Sequence, residues 1–356
     1  MNIAVIGAGN GGQAISANLS IQGHEVSLYH YRKEKIDALN VRNKTIRLLG
    51  AIKGEGILKC VSTDLKTVIK GTEVIMVTTT ANVHSELAEQ MAPILDDDQV
   101  VVLNPGRTGG ALEFLQTIKK NGCSKNVYVA EAQTLVYACR IVEDGVVNVI
   151  GVKDKVLISS VNSQRTKYVL DKVKPLYPCF EAAENVLRTS LENIGAIFHP
   201  CVLLFNAATI ERQTDFWFYR DMTPAIADFI EAFDRERLAV GKAYGINLLS
   251  VREWISYAYP ETKGVTLCEK MVNNPAYYAI KSPATIFTRQ LTEDIPTGVL
   301  PIVELGKVAG VDVSLMESMI NICSTLLKID FRKNGRSLEH LGLSNMTKDE
   351  ILKKLS

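Results

Sequence analysis

The sequence predicts an α/β fold in the first half of the chain and an all-helical fold in the second half. Short apolar runs alternate with helical segments as far as residue 182, and apolar residues then recur at helical spacing. Alternating strands and helices are typical of βαβ units, which build a parallel sheet with helices on both faces. The length of 356 residues fits two domains, because single hydrophobic cores rarely grow beyond ~250–300 residues.

The apolar runs predict individual elements and a domain boundary. The predicted strands are residues 2–6, 25–30, 73–78, 99–103, 126–130, 146–152 and 156–159. The predicted helices of the first half are residues 11–22, 33–40, 64–70, 85–95, 110–120 and 163–174. Those of the second half are residues 186–210, 224–244, 251–257, 299–308, 315–327 and 348–355, the last with a capping box of Thr347 and Glu350. We therefore expect one domain over residues 1–182 and a second over residues 183–356.

Composition and charge exclude several classes of protein. Hydrophobic residues make up 47% and charged residues 22% of the chain, which excludes intrinsic disorder. The 40 lysines and arginines oppose 39 acidic residues, so no strong field favours nucleic acid or an anionic membrane. No apolar run reaches the ~18 residues of a membrane span, and a predicted strand rather than a signal peptide opens the chain. We expect a cytoplasmic protein whose partners are small molecules.

The seven cysteines predict neither a disulfide framework nor a metal site. Their number is odd, they lie far apart, and no Cys-x-x-Cys motif occurs. Disulfide scaffolds and zinc sites both need regularly spaced cysteines. We therefore expect free thiols and no metal.

The most informative stretch is the glycine-rich loop after the first predicted strand. It has the GxGxxG pattern at Gly7, Gly9 and Gly12, with Asn10 and Gly11 between the last two glycines. The first glycine allows a tight turn, the second lets backbone N–H groups reach a pyrophosphate, and the third lets the helix pack closely on the strand. The helix N-terminus also presents a positive dipole end to phosphates. The loop predicts dinucleotide binding, and the alternative is a purely structural glycine-rich turn.

The end of the second predicted strand indicates which dinucleotide binds. NAD-binding sites of this kind hold the ribose hydroxyls with an Asp or Glu about 20 residues after the loop. Here the segment carries His30 and Arg32, and the first carboxylate is Glu34. Because a carboxylate repels a 2′-phosphate and a cation attracts it, we predict that NADP(H) is preferred and that NAD(H) is possible. The alternative is that Arg32 and Lys33 form a solvated helix start and that the enzyme takes either cofactor.

Two later loops lie at the predicted carboxyl edge of the sheet, where ligands bind in such folds. The first loop, with Thr79, Ala81 and His84, is placed to run beside the ribose and nicotinamide. In the second loop, residues 104–110, backbone N–H groups together with Arg107 can meet an anion. A plain turn is the alternative for both loops.

Two candidate groups for chemistry lie in the helical half. His199 precedes Pro200 in an apolar helical segment, and a buried imidazole needs a hydrogen-bond partner. Arg289 and Asp294 lie just before a later helix. Arginine can bind a carboxylate through two parallel hydrogen bonds, and aspartate can hold a histidine in one tautomer. A core histidine and a surface ion pair with an N-capping acid are the alternatives.

Motifs along nearly the whole chain resemble the opine dehydrogenase family, which includes octopine, nopaline and N-(carboxyethyl)amino-acid dehydrogenases. They lie at residues 5–12, 103–114, 184–187, 199–200, 273–277, 288–289, 293–294 and 330–333. The resemblance implies a Rossmann-like, doubly wound parallel sheet joined to an all-helical domain of the 6-phosphogluconate dehydrogenase C-terminal type. It also implies that His199 is the acid/base residue, Asp294 its partner, and Arg289 the residue that binds a substrate carboxylate. A homodimer fits this fold.

The implied reaction joins a 2-oxo acid, typically pyruvate, to the amino group of an L-amino acid and reduces the resulting imine with NAD(P)H. One alternative is a reductase of 2-oxo acids or ketones on the same scaffold, such as ketopantoate reductase or glycerol-3-phosphate dehydrogenase. Those families use a catalytic lysine in the helical domain, and residues 186–210 contain none. A second alternative is a sensor that binds NADP(H) without chemistry, against which the candidate acid/base and arginine residues argue.

The amino-acid substrate is left open by the sequence. Aromatic residues can line its side-chain pocket or fill the core, and an acidic residue would select a basic substrate. The aromatic candidates are residues 216–219, Tyr277 and Tyr278, and the acidic candidates are Glu211, Asp215 and Asp221.

Overall fold

The protein is described by a computed structural model that covers all residues, Met1–Ser356. It divides into two compact units, of which the first is Met1–Ser190 with Lys354–Ser356 and the second is Leu191–Lys353. The sequence places the boundary at residue 182, where the last strand ends. The first unit extends further because Thr189 and Ser190 both donate hydrogen bonds to Glu131 of its sheet.

The first unit contains all twelve strands of the chain. These are β1 (Asn2–Ile6), β2 (Glu25–Tyr29), β3 (Thr45–Gly50), β4 (Gly54–Ile57), β5 (Cys60–Ser62), β6 (Val74–Val77), β7 (Val100–Leu103), β8 (Tyr128–Ala132), β9 (Tyr137–Glu143), β10 (Val146–Val152), β11 (Val156–Ser160) and β12 (Phe180–Ala182). Its helices are α1 (Asn10–Ile21), α2 (Lys33–Val41), α3 (Leu65–Ile69), α4 (His84–Met91), α5 (Gly110–Lys120) and α6 (Thr166–Val173). The helix α7 (Val186–Leu191) ends at the boundary of the units.

Eight strands form the main sheet in the order β12-β11-β8-β7-β6-β1-β2-β5. All neighbours are parallel except β8 and β11. The central strands β6 and β7 are buried along their whole length, as expected for strands that helices cover on both faces. From β1 the chain first adds β2 and β5 on one side and later adds β6, β7 and β8 on the other side. The strand order therefore reverses between β1 and β6. Ligands of doubly wound sheets bind in the crevice at such a reversal, and the predicted fold class is confirmed.

A second sheet of four strands, in the order β4-β3-β10-β9, was not predicted. The prediction that residues 146–152 belong to the main sheet is wrong, because they form β10 of the second sheet. The strands β3, β4, β5, β9 and β12 were not predicted from the sequence. The strands β3 and β9 carry charged residues on a half-exposed face, and two of the four residues of β4 are glycine. The parallel pairing of β3 with β10 joins residues far apart in the chain, so no local pattern reveals it.

Two glycines fit α1 closely against β1. Gly7 has a φ of +110°, which glycine adopts without steric cost. A β-carbon on Gly12 would lie 1.6 Å from the carbonyl oxygen of Gly7, so only glycine lets the helix approach the strand. A β-carbon on Gly9 would meet nothing within 4 Å. The space in front of the α1 N-terminus is therefore open.

The second unit is helical. Its helices are α8 (Gly195–Phe205), α9 (Ala207–Glu211), α10 (Pro224–Ala243), α11 (Val251–Ala258), α12 (Leu267–Val272), α13 (Arg289–Thr292), α14 (Leu300–Val308), α15 (Ser314–Leu327) and α16 (Phe331–Asn334), and α17 (Lys348–Leu355) ends the chain. The prediction of a single helix over residues 186–210 is wrong, because the helix is interrupted after α7 and again at Asn206. The capping box is confirmed, since Thr347 N donates to Glu350 and Glu350 N donates to Thr347 Oγ1. None of the helices is both long and apolar enough to cross a membrane.

A buried ion pair on α10 holds the chain just before α8. Arg237 donates from Nε to Asp234 at 2.7 Å and from its two amino groups to the carbonyls of Leu191 and Leu249. The other carboxylate oxygen of Asp234 accepts from the backbone N–H of Val251. Buried charges are tolerated when they are paired with an opposite charge and hydrogen-bonded. The pair therefore fixes the starts of α8 and α11.

Substitution of Gly12 by alanine tests the packing of α1. The new methyl group collides with backbone atoms that cannot move aside, so we expect Gly12→Ala to lower the free energy of unfolding by roughly 3 kcal/mol. Gly9→Ala is the matched control, and because its β-carbon has free space we expect a loss of less than about 1 kcal/mol. Urea unfolding of both variants measures the difference. Equal stability of the two variants would contradict the packing described here.

Candidate active site

The loops that follow β1 and β6 pack against each other at the crevice between these strands. The hydroxyl of Thr78 donates to the carbonyls of Ile6 and Gly7 at 3.0 Å. The methyl group of Thr79 lies 3.2 Å from the position that a β-carbon of Gly7 would occupy. The loop carrying Thr79 therefore lies directly against the glycine loop, as a dinucleotide crevice requires.

The N-terminus of α1 fits a pyrophosphate. No side chain caps this helix, and its first turn contains no acidic residue. The backbone N–H groups that follow Gly9 therefore face open space. They form the positive end of the helix dipole, which attracts anions. The residues present here fit a dinucleotide, and its phosphates would be held by the backbone of Gly9, Asn10 and Gly11.

The backbone of β9 and the side chain of Leu135, just before β9, brace this loop. Asn10 Oδ1 accepts a hydrogen bond from the backbone N–H of Ile141 at 2.8 Å. The side chain of Leu135 lies 2.9 Å from where a β-carbon of Gly11 would stand. The amide of Asn10 is thus engaged in holding β9 to the loop, which leaves its backbone N–H for a ligand.

The end of β2 forms a positively charged corner. His30 Nδ1 accepts from the backbone N–H of Ala8 at 3.4 Å. Burial, followed by the charges of Lys35 and Arg32, lowers the pKa of His30, so its ring is neutral at neutral pH and Nε2–H is a donor. Arg32 donates to the hydroxyl of Tyr31 at 2.7 Å and lies over its ring. This corner can donate hydrogen bonds to ribose hydroxyls or to a 2′-phosphate.

Two predicted cofactor residues have buried side chains. Ala81 begins a short 3-10 turn, Ala81–Val83, and His84 begins α4. Both side chains are buried inside the unit. A contact from these two residues to a cofactor would therefore use their backbone atoms.

The N-terminus of α5 is occupied by the protein's own carboxylate, which the sequence analysis missed. Glu131 at the end of β8 is fully buried and accepts from the backbone N–H of Ala111 at 2.9 Å. Its other oxygen accepts from the hydroxyls of Thr189 and Ser190, and Ser190 also accepts from the N–H of Gly109. The loop of residues 104–110 therefore meets an internal anion. The only signal in the sequence was a glutamate within an otherwise apolar strand.

In the second unit, the structure brings together His199 and Asp294, which the family resemblance pairs. His199 Nδ1 lies 2.6 Å from Asp294 Oδ2. The side chain of Asp294 is 2% exposed and that of His199 is 20% exposed. Because the carboxylate accepts from Nδ1–H, Nε2 is left as the ring atom that can exchange a proton with a ligand.

Close backbone packing places the aspartate beside the histidine. Asp294 precedes a π-helical turn, Ile295–Val299, that leads into α14. A β-carbon on Gly298 of this turn would lie 2.5 Å from Cβ of Ala196 on α8. The glycine and the alanine thus let the two elements approach, and π turns of this kind are frequent at functional sites.

Arg289 is oriented by a neighbouring acid rather than by Asp294. Its Nη1 donates to Glu293 Oε2 at 2.5 Å, and the arginine side chain is 57% exposed while the glutamate is 3% exposed. Asp294 makes no helix cap, and Thr288 caps α13 instead. The sequence reasoning missed the positioning role of Glu293, although its four-residue spacing from Arg289 was a signal.

Aromatic side chains line the region around the histidine. The ring of Phe218 lies edge-on to His199 at 6.0 Å, and Tyr219 stacks on Tyr277 at 4.5 Å. Burial raises the pKa of Tyr277 well above its ordinary value, so this phenol stays neutral. Among the acidic candidates, Asp221 accepts a hydrogen bond from the backbone N–H of Trp217. It therefore stabilises the turn over residues 217–221.

Each half of the chain matches a known family of dehydrogenase domains. Residues 182–327 match the helical domain of NAD/NADP octopine/nopaline dehydrogenases, and residues 2–130 match the N-terminus of NAD-dependent glycerol-3-phosphate dehydrogenase. The opine dehydrogenase of Arthrobacter sp. (strain 1C) is 34% identical over 345 residues, which cover 97% of this chain and 96% of that protein.

Solved structures share the fold. An octopine dehydrogenase complex with NADH and L-arginine matches with a TM-score of 0.83 at 22% identity, covering 99% of this chain and 98% of that one. An NADP⁺-bound yersinopine dehydrogenase matches with a TM-score of 0.70 at 14% identity, covering 99% and 97%. The identity of 34% over nearly two whole chains is the stronger finding, because it includes the helical unit as well as the widely shared sheet. The chain belongs to the opine dehydrogenase family, and it is an NAD(P)-dependent oxidoreductase of the kind that joins a 2-oxo acid reductively to an amino acid.

Proposed function

We propose that the protein condenses pyruvate with the α-amino group of an L-amino acid and reduces the product to an N-(1-carboxyethyl) amino acid. The observation that carries this proposal is the His199–Asp294 pair, a buried acid–imidazole unit in the helical half of the chain. Octopine dehydrogenase has been solved in complexes with NADH and L-arginine, agmatine or pyruvate. These substrates of relatives support the same substrate classes here.

The reaction has two stages. The amine nitrogen attacks the keto carbon, and loss of water leaves a C=N bond. When NAD(P)H is bound, it supplies the hydride that reduces the imine carbon, and the nitrogen ends with one more proton. The product is a secondary amine that carries two carboxylates.

His199 is the residue we assign to proton transfer. Its Nδ1–H is held by Asp294, so Nε2 can protonate the departing oxygen and then exchange a proton with the nitrogen. The buried carboxylate stabilises the protonated ring. General acid–base help of this kind is worth ~10²–10⁴-fold in rate.

Arg289 is the residue we assign to a substrate carboxylate. Glu293 holds Nη1, and this leaves the edge formed by Nε and Nη2 for two parallel hydrogen bonds to a carboxylate. Correct positioning matters because two substrates must react together.

For the cofactor, we propose a preference for NADP(H) with use of NAD(H). Arg32 and Lys35 lie at the corner beside His30. The acidic residue of β2 is Glu25, which lies at the opposite end of the strand. Relatives with solved structures carry NADH in one case and NADP⁺ in another, so the fold accommodates both.

We also propose a cytoplasmic homodimer. All seven cysteines are free thiols, which fits a reducing compartment. Val142 on β9 and Ile150 and Val152 on β10 are exposed apolar side chains on neighbouring strands, which a second copy of the chain can cover.

Loss of reduced-nicotinamide absorbance tests the reaction directly. We expect oxidation of NADPH that requires both pyruvate and an L-amino acid, with single-substrate blanks at background, because hydride is accepted by the imine and not by the keto acid. A panel of L-amino acids identifies the second substrate. Oxidation with a keto acid alone would instead assign a 2-oxo-acid reductase, and tight NADPH binding without turnover on any pair would mean either a substrate outside the panel or a sensor.

Substitution of Arg289 by lysine tests carboxylate binding. Lysine keeps the positive charge but lacks the planar fork, so we expect the KM of one substrate to rise about tenfold while kcat changes less. Arg235→Lys, on an exposed position of α10, is the matched control. Unchanged KM values for both substrates would exclude the role assigned to Arg289.

A further inference from the structure

We propose that Asp144, in the turn between β9 and β10, sets the balance between NADPH and NADH. The inference rests on the proposed cofactor site and names a specificity residue within it. It supplies, from a distant part of the chain, the carboxylate that β2 lacks next to its carboxyl end.

Two hydrogen bonds place Asp144 between the first turns of α1 and α2. Its Oδ1 lies 2.7 Å from Nζ of Lys35, the third residue of α2. The same oxygen accepts from Nε2 of Gln13 in the first turn of α1 at 3.1 Å. These helices follow β1 and β2 at the carboxyl edge of the sheet, which is where the adenosine ribose binds in this type of fold.

Gln13 connects the turn to the glycine loop. Its side chain is fully buried, and its Nε2 also donates to the carbonyl of Ala8 while its Oε1 accepts from the backbone N–H of Gly145. The N–H of Ala8 in turn donates to His30. A continuous set of hydrogen bonds therefore joins Asp144 to the residue at the end of β2, where NAD-binding sites carry their carboxylate.

The charges at this corner explain the effect on specificity. Lys35 is neutralised by Asp144, and Lys33 is paired with Asp37 at 2.6 Å. Arg32 is left as the cation with no carboxylate partner at hydrogen-bond distance. A 2′-phosphate is therefore attracted less than the count of basic residues suggests, and Asp144 itself repels it. NADH carries no such phosphate and is not affected.

Asp144→Asn tests the proposal. The amide keeps an oxygen that can accept from Gln13 but removes the charge and frees Lys35. We expect the ratio of kcat/KM for NADPH to that for NADH to rise about tenfold, through KM rather than kcat. The rise should shrink at high salt, because screening weakens the attraction of exposed charges. A purely structural role of Asp144 would weaken both cofactors equally.

Two further variants complete the test. Lys35→Met leaves Asp144 unpaired and should lower the same ratio several-fold, so it tests the proposal even if Asp144→Asn fails to fold. Glu25→Gln removes an exposed acid paired with Lys59 at the opposite end of β2 and should leave the ratio unchanged. A ratio that stays within about twofold in Asp144→Asn or in Lys35→Met would overturn the proposal.

Cofactor titration separates this inference from the proposed function. Quenching of protein fluorescence by NADPH and NADH is measured without substrates, so it does not depend on the roles of His199 or Arg289. If neither cofactor binds the native protein, the cofactor site itself is wrong. If both bind and Asp144→Asn leaves the ratio of their dissociation constants unchanged, only the assignment of Asp144 is wrong.

Discussion

The hydrogen bond between His199 and Asp294 joins two segments that lie 95 residues apart in the chain. It forms because Gly298 and Ala196 let the π turn and α8 approach closely, and because α8 starts at a point fixed by Arg237. The buried carboxylate in turn needs the imidazole, since an isolated buried charge is costly. The proposed chemistry depends on this contact, because it determines which ring nitrogen carries the exchangeable proton.

The glycine-containing loops before α1 and α5 differ in the group that lies at the helix N-terminus. At α5, Glu131 accepts from Ala111 and ties Thr189 and Ser190 to the sheet. At α1, no side chain caps the helix and the space beyond Gly9 is open. A helix N-terminus attracts anions in either case. The internal carboxylate thus serves structure at α5, while α1 retains its capacity for an external phosphate.

Local patterns predicted what depends on local physics. The buried strands β6 and β7 and the steric roles of Gly7 and Gly12 could be predicted because apolar runs and glycine spacing are visible in a few residues. The parallel pairing of β3 with β10 and the contact of Asp144 with Lys35 could not, since both join segments far apart in the chain. His199 and Asp294 were paired at the sequence level only through the family resemblance, since their local patterns left a core histidine and an N-capping acid open, and the folded chain shows them in contact.

A double-mutant cycle on His199 and Asp294 tests the central claim that these residues act as one unit. Turnover is measured for His199→Ala, Asp294→Asn and the double variant, with NADPH affinity as the control for folding. We expect each single variant to lose ~10²–10⁴-fold in kcat with NADPH binding retained, and the double variant to be no slower than His199→Ala. Losses that multiply in the double variant, or near-native turnover in His199→Ala, would contradict the account.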